Sequence, residues 1–116
     1  IDVESFSSRG GSVTFFFDIE GNARPVTAFK PDFAAVDGNN TTFFGGSDFD
    51  LDGLPNFFGT SAAAPNAAAI AALLKSQKSD LTPAQIRAVF EATALDVKGA
   101  RAAVGRDDVS GAGFIK

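Results

Sequence analysis

FFGTSAAAPNAAAIAALL, residues 57–74, is the stretch that decides the fold of this chain. Gly59, Thr60 and Ser61 come directly before a run made almost wholly of alanine, the residue with the highest helix propensity. The run predicts a helix over about residues 61–76, and a helix that is apolar nearly all round is typically buried. Ser61 would then lie at the helix N-terminus, where free N–H groups and the helix dipole favour a negative charge.

These residues alone leave two interpretations of Ser61 open. Serine and threonine are common helix caps, so Ser61 or Thr60 can be explained as an N-cap and nothing more. In the other interpretation Ser61 is a nucleophile, Gly59 permits the tight bend before it, and Pro65 loosens the first helical turn. A nucleophilic serine needs a neighbouring base, and the chain has no histidine, so it cannot build a Ser-His-Asp triad by itself.

The length, composition and charge limit the kinds of protein that this chain can be. With 116 residues, 45% of them hydrophobic and 21% charged, the chain has the size and composition of one globular domain or part of one. The net charge is −4 without a Lys/Arg cluster, and no apolar run approaches a membrane span, which argues against nucleic acid and membranes as partners. The absence of cysteine excludes disulfides, and the absence of methionine indicates a processed or excised piece with any signal peptide upstream.

The segments before the alanine run read as strands and loops. The turn residues Glu20, Gly21 and Asn22 predict a hairpin over residues 13–29, and residues 33–36 are an apolar run typical of a short buried strand. Residues 37–56 form a long loop rich in Gly, Asn and Asp, and loops of that length are usually functional.

The segments after the alanine run predict a second helix and a loop-like tail. Thr82 is a suitable N-cap, Pro83 fits the first helical position and Gln85 completes a capping box. We expect this helix to end near residues 95–96 and a last short strand at residues 114–115.

An acidic loop precedes Gly59. Asp48, Asp50 and Asp52 occupy every second position and Gly53 follows, a spacing typical of calcium loops, in which alternate oxygens converge on a hard cation. An EF-hand would need an acidic residue at the twelfth position of the loop, where this chain has Gly59. The alternative is a solvated acidic loop that binds nothing.

Four segments resemble the subtilisin-like serine proteases, in the same order along the chain. GTSAAAPNAAAIAALL resembles the family's catalytic-serine motif and helix, and residues 6–10, 30–35 and 81–87 resemble its Phe-Ser-Ser-x-Gly, Lys-Pro-Asp and Leu-Thr-Pro segments. The resemblance implies an α/β fold in which residues 1–116 are the C-terminal part of the catalytic domain, with a mostly parallel sheet and a buried serine helix. It also implies that Ser61 is the nucleophile of an endopeptidase and that the Ser61 N–H is one oxyanion donor.

The resemblance places the remaining machinery outside this chain. In the family, the triad aspartate and histidine and the oxyanion asparagine lie upstream of the segments present here. The implied partners are therefore a protein or peptide substrate and the upstream part of the same domain, in a secreted protein with possible Ca²⁺ at Asp48, Asp50 and Asp52. Two departures stand out: Asn66 replaces a usual non-catalytic histidine, and Val36-Asp37-Gly38 replaces a Pro-Gly turn.

Two alternatives remain. The sedolisin-like acid proteases share a Gly-Thr-Ser element but use a glutamate as base, and their calcium loop resembles residues 107–113. A non-enzymatic module, braced by calcium and serving structure or interaction, would keep the fold without the chemistry.

Overall fold

The computed structural model describes residues 2–42, 46–99 and 101–116. Four strands and two helices follow one another along the chain. They are β1 (Gly11–Phe17), β2 (Ala23–Lys30), β3 (Asn39–Asn40), β4 (Asn56–Phe57), α1 (Thr60–Gln77) and α2 (Pro83–Thr93).

β1 and β2 form the predicted hairpin. Gly11 pairs with Lys30 and Phe15 with Val26 in an antiparallel register that shifts after Phe15. The Asp18 carboxylate closes the turn by accepting hydrogen bonds from the backbone N–H of Asn22 at 2.9 Å and of Glu20 at 3.1 Å. The turn residues named from the sequence therefore do shape the connection.

The sheets differ from the mostly parallel sheet that the family resemblance implied. Both sheets of the described residues are two-stranded and antiparallel, β1 with β2 and β3 with β4. A short turn joins β1 to β2, whereas a parallel pair would need a crossover of a dozen residues or more. Residues 33–36, predicted as a buried strand, make one parallel bridge from Ala34 to Phe114 and are not fully buried.

Helix α1 begins and ends within one residue of its predicted bounds, but it is not buried. Ala62 is its one buried residue, and Leu73 is 66% exposed. Only one face packs, through residues such as Ile70 and Leu74, which border the core. The predicted burial of this helix is not confirmed, because a helix apolar all round buries only the face that the rest of the described chain covers.

Helix α2 has the N-terminus that its sequence predicts. Thr82 Oγ1 accepts a hydrogen bond from the Gln85 N–H at 3.3 Å, and the Thr82 N–H donates to Gln85 Oε1 at 2.8 Å. Ile86 and Phe90 on this helix form the core with Ile115, and the ring of Phe33 packs edge-on against Phe90 at 5.1 Å. The helix ends at Thr93, slightly earlier than expected.

The carboxylate of Asp32 joins three parts of the chain. Lys30 Nζ, at the end of β2, lies 2.6 Å from one oxygen, and Arg87 Nη2 of α2 lies 2.6 Å from the other, an ion pair without hydrogen-bond alignment. Arg106 of the closing loop approaches to 3.7 Å. Gly111 passes so near that an added Cβ would lie 2.4 Å from the Asp32 carbonyl oxygen, so only glycine fits there.

Candidate active site

A glycine, and not a serine or threonine, caps helix α1. Gly59 is the N-cap, with φ 109° and ψ 168°, and no side chain caps this end of the helix. The Gly59 carbonyl accepts the N–H groups of Ala62 at 2.9 Å and Ala63 at 3.1 Å. The interpretation of Thr60 or Ser61 as a simple N-cap is therefore wrong, and their own N–H groups have no acceptor within the helix.

Ser61 is the second residue of α1 and its side chain is exposed. Thr60 and Ala63, its neighbours on the helix, line a cleft of about 920 Å³ whose other wall includes Asp37 and Phe6. Ser61 lies beside this cleft and is not part of its lining. The position matches the expectation of a hydroxyl presented outward where a bend enters a helix.

Residues 36–39, which we call the brace, hold the bend before Ser61 from one side. Asp37 Oδ2 accepts a hydrogen bond from the Gly59 N–H at 2.7 Å, and the Gly38 N–H donates to the Phe57 carbonyl at 2.9 Å. Asn66 Nδ2, one turn into α1, donates to the Val36 carbonyl at 2.9 Å. The two departures from the family pattern, at residues 36–38 and 66, thus contact each other beside the bend that precedes Ser61. Sequence reasoning noted the departures but did not predict this contact.

The three aspartates of the acidic loop lie together. One carboxylate oxygen from each of Asp48, Asp50 and Asp52 falls within 4.8 Å of the other two. Asp48 also accepts the backbone N–H of Gly53 at 2.8 Å, and this bond, with others from the loop, lowers the pKa of its carboxyl group below 3.8. Three hard carboxylate oxygen donors fit the chemistry of calcium.

Asn56 organises the loop between the aspartates and Ser61. Its side chain is 7% exposed; Oδ1 accepts the Phe49 N–H at 2.7 Å, and Nδ2 donates to Asn40 Oδ1 at 3.0 Å and the Gly38 carbonyl at 3.1 Å. The Asn56 amide is thus used to hold residue 49 against β3 and the brace.

The closing loop does not have the character of a cation site. Asp107, 7% exposed, accepts the backbone N–H groups of Val109 at 2.8 Å and Ser110 at 2.7 Å on one oxygen, and that of Ala103 at 2.7 Å on the other. Burial alone would raise the pKa of Asp107, but the N–H donors of Ser110, Val109 and Ala103 outweigh it and lower the pKa below 3.8. A carboxylate surrounded by N–H donors is a structural anchor, which weakens the likeness to a sedolisin calcium loop.

The described residues do not supply a base for Ser61. No histidine occurs in the sequence, and no side chain in residues 2–42, 46–99 and 101–116 makes a hydrogen bond with Ser61 Oγ. The site therefore consists of an exposed serine, N–H groups without an acceptor in the helix, and a braced bend. No helix of the described chain is long and apolar enough to cross a bilayer.

Comparison with known proteins adds one result. A family model described as the subtilase family matches residues 2–113, nearly the whole chain. No curated protein and no solved structure matches the chain significantly. The match covers the bend, the serine helix, α2 and most of the closing loop, so the chain belongs to the subtilase family of serine peptidases.

Proposed function

We propose that this chain supplies the nucleophile of a serine endopeptidase and that Ser61 is that nucleophile. The observation that carries the proposal is the exposed Ser61 hydroxyl at the second position of α1, behind a cap that has no side chain. Because the cap is glycine, the Ser61 N–H has no acceptor within the helix and stays available to an oxyanion.

In the proposed reaction Ser61 Oγ attacks the carbonyl carbon of the scissile peptide bond and loses its proton to a base. The carbonyl oxygen takes up negative charge and is stabilised by the Ser61 N–H and the positive end of the α1 dipole. The C–N bond then breaks, the leaving amine takes the proton from the base, and water releases the acyl group from Ser61.

The base and its orienting acid come from another part of the protein. We propose that residues 1–116 are the C-terminal segment of a subtilisin-like domain, whose upstream part supplies a histidine, an aspartate and a second oxyanion donor. Protein or peptide is the substrate, and neither nucleic acid nor membrane is a partner. The proposed location is extracellular.

Calcium is the proposed cofactor, held by Asp48, Asp50 and Asp52. The cluster of their oxygens within 4.8 Å supports this proposal. Calcium would supply no step of the reaction. It would neutralise three carboxylates on the loop that leads through Asn56 into the nucleophile bend.

A fluorophosphonate probe on the longer parent protein tests Ser61. We expect covalent labelling of the parent and its loss in Ser61→Ala. Ser76→Ala is the matched control, since Ser76 is also an exposed serine on α1 and should leave labelling unchanged. An intact, folded parent that does not label would instead support the non-catalytic, calcium-braced module.

The pH dependence of peptide hydrolysis distinguishes a subtilisin-like from a sedolisin-like parent. A histidine base must be neutral, so activity should rise as the pH passes about 6.5, whereas a glutamate base would support an acid optimum. The Asp107 carboxylate favours the histidine enzyme, because three backbone N–H groups already occupy it within the segment that resembles the sedolisin calcium loop.

A further inference from the structure

Helix α1 receives a carboxylate at its N-terminus from a distant part of the chain. Asp37 is 22 residues upstream of Gly59, yet its Oδ2 accepts the Gly59 N–H at 2.7 Å. Asp37 is half-buried, and no lysine or arginine of the described residues pairs with it. The described partner of this carboxylate is thus a backbone N–H of the nucleophile bend.

Asp37 binds the Gly59 N–H and not the Ser61 N–H, and this difference matters for stabilising an oxyanion. A serine, aspartate or asparagine at the N-cap accepts from the second or third N–H of its helix, and in α1 the second N–H belongs to Ser61. A cap that accepts from the second N–H would occupy the donor that the oxyanion needs. Gly59 avoids that competition, but it leaves the bend without a side-chain cap at a φ of 109°.

Asp37 compensates for the missing cap without touching the Ser61 N–H. A carboxylate bound to an N–H forms a short, charge-assisted hydrogen bond, and negative charge is favourable at a helix N-terminus. The rest of the brace keeps the carboxylate in place, because Gly38 is bonded to Phe57 on one side and Val36 to Asn66 on the other. The bend is therefore held from outside the helix.

We infer that Asp37 is a positioning residue for Ser61: by holding the Gly59 N–H it fixes the bend that presents the nucleophile, while the oxyanion donor stays free. The inference rests on the proposed function of Ser61. It requires a hydrogen-bond acceptor at residue 37, which an asparagine also supplies, although without the charge that strengthens the bond to the Gly59 N–H.

Steady-state hydrolysis of a peptide by the longer parent protein tests this role. We expect Asp37→Ala to lower kcat by about 10-fold or more with KM changed by less than about 2-fold, because a misplaced nucleophile slows the chemical step and not binding. Asp37→Asn keeps an acceptor oxygen and should recover kcat to within about 3-fold of the parent. Asp80→Ala, which removes an exposed carboxylate far from the bend in sequence, is the control and should behave like the parent.

Amide hydrogen exchange at Gly59 gives a readout that does not depend on activity. Asp37→Ala should accelerate exchange of the Gly59 amide by about 10-fold or more, and Asp37→Asn should slow it again. Unchanged exchange at Gly59, or a kcat loss that disappears once the folded fraction is taken into account, overturns the role of Asp37 alone. A parent that neither hydrolyses peptide nor labels at Ser61 overturns the proposed function and this role with it.

Discussion

Asn66 Nδ2 lies 2.9 Å from the carbonyl oxygen of Val36 and 3.0 Å from that of Ala62, so one side chain joins α1 to the brace. Asn66→Ala removes these bonds together with those to the Asn39 side chain, and it leaves the Val36 carbonyl without this donor. We expect the free energy of unfolding to fall by about 1–3 kcal/mol, measured by chemical denaturation of the parent protein.

Ser76→Ala is the control for Asn66→Ala. Among the described residues, Ser76 Oγ bonds only to the Leu73 carbonyl of the same helix, at 2.7 Å, and its removal should change stability by less than about 0.5 kcal/mol. Equal stability of the two variants would show that Asn66 does not tie the helix to the brace.

Alanine variants of Gly59 and Gly21 distinguish the effect of backbone strain on stability from the effect of the bend on the reactivity of Ser61. Both have positive φ, 109° and 84°, and neither has an atom closer than 3.9 Å to an added Cβ. Alanine should cost about 1–3 kcal/mol at either position through strain at positive φ, and more at Gly59, because its ψ of 168° places it in a region that essentially only glycine populates. Only Gly59→Ala moves the bend before Ser61, so only this variant should label more slowly with fluorophosphonate. Slow labelling of Gly21→Ala would contradict this assignment.

Asp107 should make stability depend on pH. Its pKa is lowered in the folded protein, so its contribution is complete above the unfolded value of about 3.8 and is lost as the pH falls through the folded value. At pH 7, Asp107→Asn should be less stable by about 2–3 kcal/mol, because an amide presents one acceptor oxygen to donors that now bond two. The difference between the two proteins should shrink as the pH falls below about 3.8.

Asp108→Asn provides the comparison for that measurement. Asp108 forms a surface ion pair with Arg9 at 3.2 Å, and its side chain is 39% exposed. The variant should differ from the parent by less than about 1 kcal/mol over the same pH range. A gap for Asp107→Asn that stays constant down to pH 3 would show that ionisation of this group does not support the fold.

Calcium should bind the acidic loop with one-to-one stoichiometry. Calorimetric titration is expected to show binding that Asp50→Asn weakens, since Asp50 is one of the three clustered carboxylates. Chelation of the ion should lower Tm, because a ligand that binds only the folded state stabilises it. Asp80→Asn removes an equal charge elsewhere and should bind like the parent. No heat at millimolar calcium would identify the loop as solvated and metal-free.

The sequence predicted local structure well where a few residues that are neighbours along the chain determine it. Thr82, Pro83 and Gln85 specify the start of α2 through the capping box, and the alanine run specifies α1 within one residue at each end. The clustering of the three aspartates also followed from their alternation. These features depend on neighbours in sequence, so the pattern contains the information that they need.

Features that depend on distant contacts were missed or wrong. The apolar run at residues 33–36 has the hydrophobicity of a buried strand, but strand pairing depends on what lies beside it, and only Ala34 forms a bridge. Burial of α1 likewise depends on what covers it. The bond from Asp37 to Gly59 spans 22 residues and has no local signature other than a departure from the family turn.

The ion pairs of the Asp32 carboxylate affect the order in which parts of this protein unfold. The end of the hairpin, α2 and the closing loop each place a cation beside that one carboxylate, so detaching any of the three breaks an ion pair with Asp32. They should open as a single cooperative unit. The tip of the hairpin forms no described ion pair with Asp32, and its side chains are exposed, Phe17 by 66% and Ile19 by 98%. We expect the tip to fray independently of the rest.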